Sequence, residues 1–173
     1  MFTLIHSIEA HNQHVYGLKI SHDNTKLISG SSDGFVKVWS LENFKELACI
    51  STEVAVGFLD IDANSAIWAV ACWNGKIKFL NLENFKNVLQ AEASSREFNI
   101  LFFDKSSKFV VSGSSDGCVR VFDIEAKSFV HEINMFSMSI YALHISHTNN
   151  QRKSLKYIAV GAQSIHIWNF QKK

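Results

Sequence analysis

The sequence predicts an all-β fold made of four repeats, each a four-stranded antiparallel sheet. Residues Ser29–Trp39 combine a short strand, a tight Asp-Gly turn and a second strand in which apolar and polar residues alternate. The pattern returns 83 residues later as Ser112–Phe122, and midway between them as Val70–Leu80. A fourth copy is Val160–Trp168. Self-similarity with a period of about 41 to 42 residues is typical of β-propellers, whose sheets stack radially.

Composition sets the broad class of the chain. Its 173 residues are enough for one domain, and 47% hydrophobic with 19% charged residues is typical of a soluble globular protein. We expect a single domain over 1–173, with repeats at about 9–50, 51–90, 91–133 and 134–173. Because 17 basic residues nearly balance 16 acidic ones, we expect no membrane partner and no direct contact with nucleic acid.

Three cysteines indicate the compartment. Cys49, Cys72 and Cys118 are odd in number, far apart and outside any CxxC spacing, as in reduced proteins of the cytoplasm or the nucleus. No apolar run approaches membrane-spanning length, and the first residues lack the regions of a signal peptide. We therefore expect an intracellular protein, cytoplasmic, nuclear or both.

The predicted strands share alternating apolar residues bounded by Asn, Asp, Ser or Gly turns. In chain order they are Val15–Ile20, Lys26–Ser29, Phe35–Trp39, Glu46–Ile50, Val56–Ile61, Ile67–Ala71, Lys76–Leu80, Asn87–Gln90, Phe98–Phe103, Phe109–Ser112, Cys118–Phe122, Phe129–Ile133, Ile140–Ile145, Tyr157–Val160 and Ile165–Trp168.

The ends of the chain bear on ring closure. Residues 2–8 are rich in apolar side chains and predict an extra outer strand, which would close the ring beside Ile165–Trp168. Self-association of the chain and completion of a larger ring by another chain are the open alternatives, because an open array exposes strand edges. Between the first two strands of the last repeat, His147–Ser154 form a longer, basic loop that we expect to be mobile.

Specific residues at the repeat boundaries carry a family resemblance. An Ala10-His11 pair precedes the first strand, Ser29 and Asp33 follow the Ser-x-x-x-Asp spacing, and Trp39 ends the third strand. This order resembles a WD repeat, which implies a non-catalytic β-propeller scaffold that binds peptides or partner subunits. Residues 20–22, 41–45 and 121–124 are similar to the WD-repeat subunit of the superkiller and RNA polymerase II-associated factor complexes. That similarity implies an RNA-decay or transcription-associated assembly.

The resemblance implies a structural tetrad of hydrogen-bonded side chains. Its members are His11, Ser29, Asp33 and Trp39, and Thr52, Ser94 and Phe136 occupy the histidine position of the other repeats. A Ser-His-Asp hydrolase is the catalytic alternative. It is disfavoured because the serine lies within a strand, without the GxSxG elbow that exposes a nucleophile.

A candidate partner-binding set comes from the family's upper face, next to the loops. Large aromatic side chains there typically contribute much of the binding energy, and polar neighbours suit a peptide that carries an apolar and a basic or amide group. The set is His14, Tyr16, Trp73, Glu97, Asn99, Ser139 and Tyr141.

Two other patterns of residues bear on the binding of a metal ion or of nucleic acid. His144 and His147 are three apart on a strand, which places them on opposite faces, so we expect no metal. No glycine-rich phosphate loop is present, and we expect no cofactor. Four basic residues at equivalent positions of the third strands define a basic ladder, whose contact with RNA is the alternative function. They are Lys37, Lys78, Arg120 and His166.

Overall fold

A computed structural model describes residues 3–92, 96–134, 137–147, 155–161 and 164–170. These residues form fifteen strands in four antiparallel sheets, which we call blades 1 to 4. Within each blade the strands are hydrogen-bonded in chain order. The described residues contain no helix that is long and apolar enough to cross a membrane.

The strands follow the repeats. Blade 1 contains β1 (Val15–Ile20), β2 (Lys26–Ser31), β3 (Phe35–Ser40) and β4 (Glu46–Ser51). Blade 2 contains β5 (Val56–Ile61), β6 (Ile67–Cys72), β7 (Lys76–Asn81) and β8 (Asn87–Glu92). Blade 3 contains β9 (Phe98–Phe103), β10 (Phe109–Ser114), β11 (Cys118–Asp123) and β12 (Ser128–Asn134). Blade 4 contains β13 (Ala142–His147), β14 (Leu155–Gly161) and β15 (Ile165–Asn169).

The turn between the second and third strands is the same in three blades. Gly34, Gly75 and Gly117 have φ angles of 82°, 76° and 79°. This left-handed conformation favours glycine, because a Cβ atom would clash with the backbone. The Asp-Gly and Asn-Gly turns predicted from the sequence are therefore local features that the fold repeats.

Apolar side chains join the blades to one another. The first strands of successive blades pack side by side, β1 on β5, β5 on β9 and β9 on β13. Between blades 1 and 2, Ile28, Val36 and Val38 are buried in one cluster with Leu59 and Ile61. Similar clusters lie between blades 2 and 3 and between blades 3 and 4. Each blade thus buries a face that it could not cover alone.

Small residues let neighbouring blades approach closely. A Cβ atom added to Gly30 would lie 2.6 Å from Cγ1 of Val56, on the next blade. A Cβ atom added to Gly113 would lie 2.6 Å from Cγ2 of Ile140, again on the next blade. Because these glycines have no side chain, each leaves a recess that the first apolar residue of the following repeat fills.

One buried carboxylate adds a polar link between the first strands of three blades. Asp60 on β5 lies 3.0 Å from Nζ of Lys19 on β1. It also accepts a hydrogen bond of 2.9 Å from the backbone N–H of Phe103 on β9. Because Asp60 is only 8% exposed, these partners compensate the cost of removing its charge from water.

The predicted fold class is confirmed, with corrections at the ends. In the described chain blade 4 has three strands, and β13 begins at Ala142 instead of residue 140. Residues 3–8 form no strand, contrary to the prediction, and therefore do not pair with β15. The ring of His6 instead stacks on Phe44 of blade 1, with centroids 4.4 Å apart. The predicted mobile loop, residues 148–154, lies outside the described residues.

The recess at Gly113 provides a test of the packing between blades 3 and 4. We expect Gly113→Ala to lower the free energy of unfolding by about 1–3 kcal/mol, because the added methyl group has no space against Ile140. Chemical denaturation followed by tryptophan fluorescence measures the change. An unchanged denaturation midpoint would show that this junction is looser than the structure indicates.

Candidate functional site

The predicted tetrad of blade 1 is formed. Nδ1 of His11 donates to the Asp33 carboxylate at 2.9 Å, and Nε2 of His11 lies 2.8 Å from Oγ of Ser29. The indole N–H of Trp39 donates to the same Ser29 oxygen at 3.0 Å. The backbone N–H of Asn12 donates to Asp33 at 3.0 Å. This network ties the segment before β1 to the turn between β2 and β3.

Asp33 is the charged member of the tetrad. Burial disfavours its ionised form, but hydrogen bonds from the Asn12 N–H and the His11 side chain, together with the charge of His11, outweigh burial. A further hydrogen bond comes from the N–H of Phe35. The pKa of Asp33 is therefore lowered from its ordinary value of 3.8.

The distances between these side chains are similar to those in a hydrolase triad, but the burial of the side chains is different. Ser29 is 1% exposed, and the His11 side chain is 0% exposed. The indole of Trp39 also occupies a hydrogen-bonding position of the Ser29 hydroxyl. A serine hydrolase requires a nucleophile that a substrate can reach, whereas this serine is almost completely buried. The geometry therefore supports a structural role for the tetrad.

In blade 3 the equivalent aspartate is bound by an arginine in place of a histidine. Nη2 of Arg120 donates to the Asp116 carboxylate at 2.9 Å, and Nη1 donates to Oγ of Ser114 at 2.9 Å. Nε of Arg120 donates to Glu132 at 3.1 Å. Sequence reasoning missed this network because it assigned Arg120 to the basic ladder. An arginine four residues after the turn aspartate, in a repeat without the histidine, is the signal that would have found it.

The basic ladder does not form a free cationic surface. Arg120 is 4% exposed and bound as described. Nζ of Lys37 lies 3.0 Å from Glu46, and Nζ of Lys78 donates to the Thr52 carbonyl at 3.1 Å. The imidazole of His166 lies 2.6 Å from the hydroxyl of Ser164, on the same blade. All four side chains are thus engaged within the protein, which weakens the RNA alternative.

We call the end of the array where each first strand begins the upper face. Here Tyr16 and Trp73, from blades 1 and 2, come together with ring centroids 5.5 Å apart. The imidazole of His14 lies 6.2 Å from the Tyr16 ring. Tyr16 is 50% exposed and Trp73 37% exposed. We call these three residues the aromatic patch.

Backbone geometry fixes the position of the indole in this patch. Tyr16 stands at an irregularity in the β1–β2 register, which frees its side chain from the regular alternation. A Cβ atom added to Gly57 would lie 2.6 Å from Nε1 of Trp73 and 3.0 Å from the carbonyl oxygen of Phe98. The indole therefore lies across a glycine, at the junction of blades 2 and 3.

Tyr141 lies apart from the aromatic patch. In the part of the chain that the structure describes, it makes no ring contact with Tyr16 or Trp73. It is 70% exposed and lines a cavity of about 610 Å³ between blades 3 and 4. The other lining residues are Arg96, Ser115, Ser137, Met138, Ser139, Ala142 and Gly161.

Of the remaining predicted partner-binding residues in blades 3 and 4, Ser139 lines this cavity, while Glu97 and Asn99 hydrogen-bond to its lining residue Ser115. The side-chain amide of Asn99 donates to Oγ of Ser115 at 3.1 Å and to the carbonyl of Ile140 at 3.2 Å. The carbonyl of Glu97 accepts a hydrogen bond from the N–H of Ser115 at 2.8 Å, while its side chain is exposed. Oγ of Ser139 donates to the Ser115 carbonyl at 3.5 Å. Glu97 and Asn99 thus help to hold Ser115, which lines the cavity, without being lining residues themselves.

Chemistry based on thiols or metals has little support in the described residues. They contain no cluster of three His, Cys, Asp or Glu side chains that could hold a metal ion. All three cysteines are free thiols. Burial raises the pKa of Cys72 to about 11 and also raises that of Cys118, which keeps both protonated at neutral pH.

Parts of the sequence match a known protein family. Residues 2–40 and 89–123 match the family described as "WD domain, G-beta repeat". A human protein named "WD repeat-containing protein 36" is 22% identical over 116 residues, covering 67% of this chain and 13% of that protein. "Protein SPA1-RELATED 3" of Arabidopsis thaliana is 26% identical over 175 residues, covering 98% of this chain and 20% of its own length. The chain spans a fifth or less of these relatives.

A solved structure shows the same fold. The computationally designed Ika4 protein superposes with a TM-score of 0.84, covering 99% of this chain and 100% of that chain. The two sequences are 21% identical, so the likeness concerns the fold alone. It supports a β-propeller arrangement of the four blades.

The tetrad predicts a loss of stability on His11→Ala. We expect the free energy of unfolding to fall by about 1–3 kcal/mol, because Ser29 and Asp33 lose a buried partner. Thermal and chemical denaturation measure the change. The control is His14→Ala, which removes an exposed imidazole three residues away. Equal stability of the two variants would contradict the structural role of the network.

The lowered pKa of Asp33 predicts sensitivity to acid. Ionised Asp33 contributes stability that is fully present above its ordinary pKa of 3.8 and is lost as pH falls through the lower folded value. We therefore expect Asp33→Asn to be less stable than the parent at neutral pH and to lose less of its stability as pH falls below the ordinary pKa of 3.8. Denaturant titrations at a series of pH values measure both effects.

Some acid sensitivity will persist in that variant. Hydrogen bonds from Ser21 and Thr25 lower the pKa of Asp23 to about 2. The contribution of Asp23 is therefore lost as pH falls from its ordinary pKa of 3.8 to about 2, in the parent and in Asp33→Asn alike. Parallel pH curves for the parent and Asp33→Asn would contradict the assignment.

Proposed function

We propose that this chain is a non-catalytic scaffold that binds short peptide segments of partner proteins at its upper face. The main observation in support of this proposal is the aromatic patch, where residues from two repeats place large, accessible rings beside each other. Rigid aromatic side chains supply contact area at a small cost in conformational entropy. The matches to WD-repeat proteins support a binding role of this kind.

The chemistry of the two upper-face sites defines the ligand. The rings of Tyr16 and Trp73 suit an apolar side chain of the peptide. The cavity beside Tyr141 is lined by several hydroxyl groups, which suit peptide amides or an amide side chain. The exposed side chain of Glu97, whose backbone carbonyl accepts a hydrogen bond from Ser115, would favour a basic group nearby. The proposed partner is therefore a peptide with one apolar anchor and neighbouring polar or basic groups.

We also propose a type of multiprotein assembly to which the chain belongs and a cellular compartment in which it acts. The resemblance of residues 20–22, 41–45 and 121–124 to the WD-repeat subunit of the superkiller and RNA polymerase II-associated factor complexes points to an RNA-decay or transcription-associated assembly. Free thiols in a chain of this composition support a cytoplasmic or nuclear location. The identity of captured partners tests the assembly directly.

Alanine substitutions test the aromatic patch. A partner is captured on the immobilised chain, its binding segment is mapped with overlapping peptides, and its affinity is measured by fluorescence anisotropy. We expect Tyr16→Ala and Trp73→Ala each to weaken binding by about thirtyfold, or about 2 kcal/mol, because each removes an aromatic anchor.

A matched control separates loss of the site from loss of the fold. Val88→Ala truncates an exposed apolar side chain on β8, outside the upper-face set, and should bind like the parent. Circular dichroism checks that all three variants fold. If the folded Tyr16 and Trp73 variants also bind like the parent, the aromatic patch is not the binding site.

A further inference from the structure

Blade 1 has an uncovered front face. In blades 2, 3 and 4, three apolar residues at equivalent positions of each first strand, or directly before it, pack on the preceding blade and are at most 9% exposed. The equivalents in blade 1 are Val15, Leu18 and Ile20, which are 42%, 58% and 52% exposed. The buried residues are Val56, Leu59, Ile61, Phe98, Leu101, Phe103, Ile140, Leu143 and Ile145.

Blade 4 has an uncovered rear face of matching character. In blades 1 to 3, two apolar residues of each third strand pack on the following blade and are at most 1% exposed. Their equivalents in blade 4 are Ile165 and Ile167, which are 80% and 68% exposed. The buried residues are Val36, Val38, Ile77, Phe79, Val119 and Val121.

The two uncovered faces also match in shape. Gly30 receives Val56 of the next blade, and Gly113 receives Ile140 in the same way. Gly161 holds the equivalent register position in blade 4, but a Cβ atom added there would meet, among the described residues, only Ala142 of its own blade. Val15 is the blade 1 equivalent of Val56. The recess at Gly161 therefore fits the residue that blade 1 leaves exposed.

We propose that two copies of this chain dock front face to rear face, twice, and close one eight-bladed ring. A second copy of the chain fits these two faces, because its docking would repeat the contacts of the internal blade junctions at equivalent residues. A two-fold axis relates the two new junctions, so each copy covers both faces of the other. Closure covers the front face of blade 1 and the rear face of blade 4, and it removes the tendency of an open array to associate further. This inference goes beyond the proposed peptide binding and does not depend on it.

The mass of the full chain in solution is the first measurement. Light scattering coupled to size-exclusion chromatography is expected to give twice the chain mass of 19.5 kDa, constant over a hundredfold range of concentration above the dissociation constant. A mass of one chain at every concentration would overturn the proposal. A mass that keeps rising with concentration would also overturn it, because an open filament has no fixed size.

Two single variants test the faces separately. Leu18→Glu on the front face and Ile167→Glu on the rear face should each raise the dissociation constant at least a hundredfold, because both junctions of the dimer acquire a buried charge. The matched control is Val88→Glu, which makes a similar change at an exposed position of an internal blade and should keep the dimer. If Leu18→Glu and Ile167→Glu remain dimers like the control, the proposal fails.

A mixing experiment distinguishes front-to-rear docking from other dimers. One copy of Leu18→Glu and one copy of Ile167→Glu can form one unaltered junction, so their mixture should contain more dimer than either variant alone. A dimer in which like faces meet would gain nothing from mixing and would overturn the proposal. Circular dichroism checks the fold of each variant; if either unfolds, the mass of the parent chain decides.

Discussion

The structure depends on the burial of apolar side chains between successive blades. Each four-stranded sheet has two apolar faces, and a single hairpin-linked sheet cannot cover both. Residues such as Val36 and Leu59 are almost completely buried because the next or the preceding repeat lies against them. The glycine recesses set how closely the blades approach. This stacking positions the side chains of the upper face that come from neighbouring blades, whereas the networks of Asp33 and Asp116 each lie within one blade.

Two different polar networks compensate the charge of a partly buried aspartate in the same turn of two blades. The aspartate in the turn between the second and third strands must be held where its charge is partly buried. Blade 1 holds Asp33 with His11, which comes from the segment before the first strand. Blade 3 holds Asp116 with Arg120, which comes from the following strand. Repeats of one architecture thus tolerate different partners, provided that the carboxylate is compensated.

The proposed ring and the proposed binding face support each other. Within the chain, the junction of blades 1 and 2 brings Tyr16 next to Trp73. Docking of a second copy would place the Tyr141 cavity of blade 4 beside blade 1 of that copy, which carries His14 and Tyr16. A closed ring would then present upper-face sites contributed by both copies. Multiple equivalent sites on one assembly suit a scaffold that holds several peptide segments.

The sequence by itself determined the strands and the turns, and the resemblance to a WD repeat predicted which four side chains would form the tetrad. Alternation of apolar residues and the Asp-Gly pairs are local signals, so Phe35–Ser40 and its equivalents lie within one or two residues of their predicted bounds. The tertiary structure alone decided which distant side chains meet. It placed Tyr16 on Trp73 but apart from Tyr141, and it packed His6 on Phe44 without forming a strand. The contact of Tyr16 with Trp73 depends on how closely and at what angle blades 1 and 2 stack, and the contact of His6 with Phe44 depends on how the segment before β1 folds back on its own blade. No local pattern of residues encodes either contact.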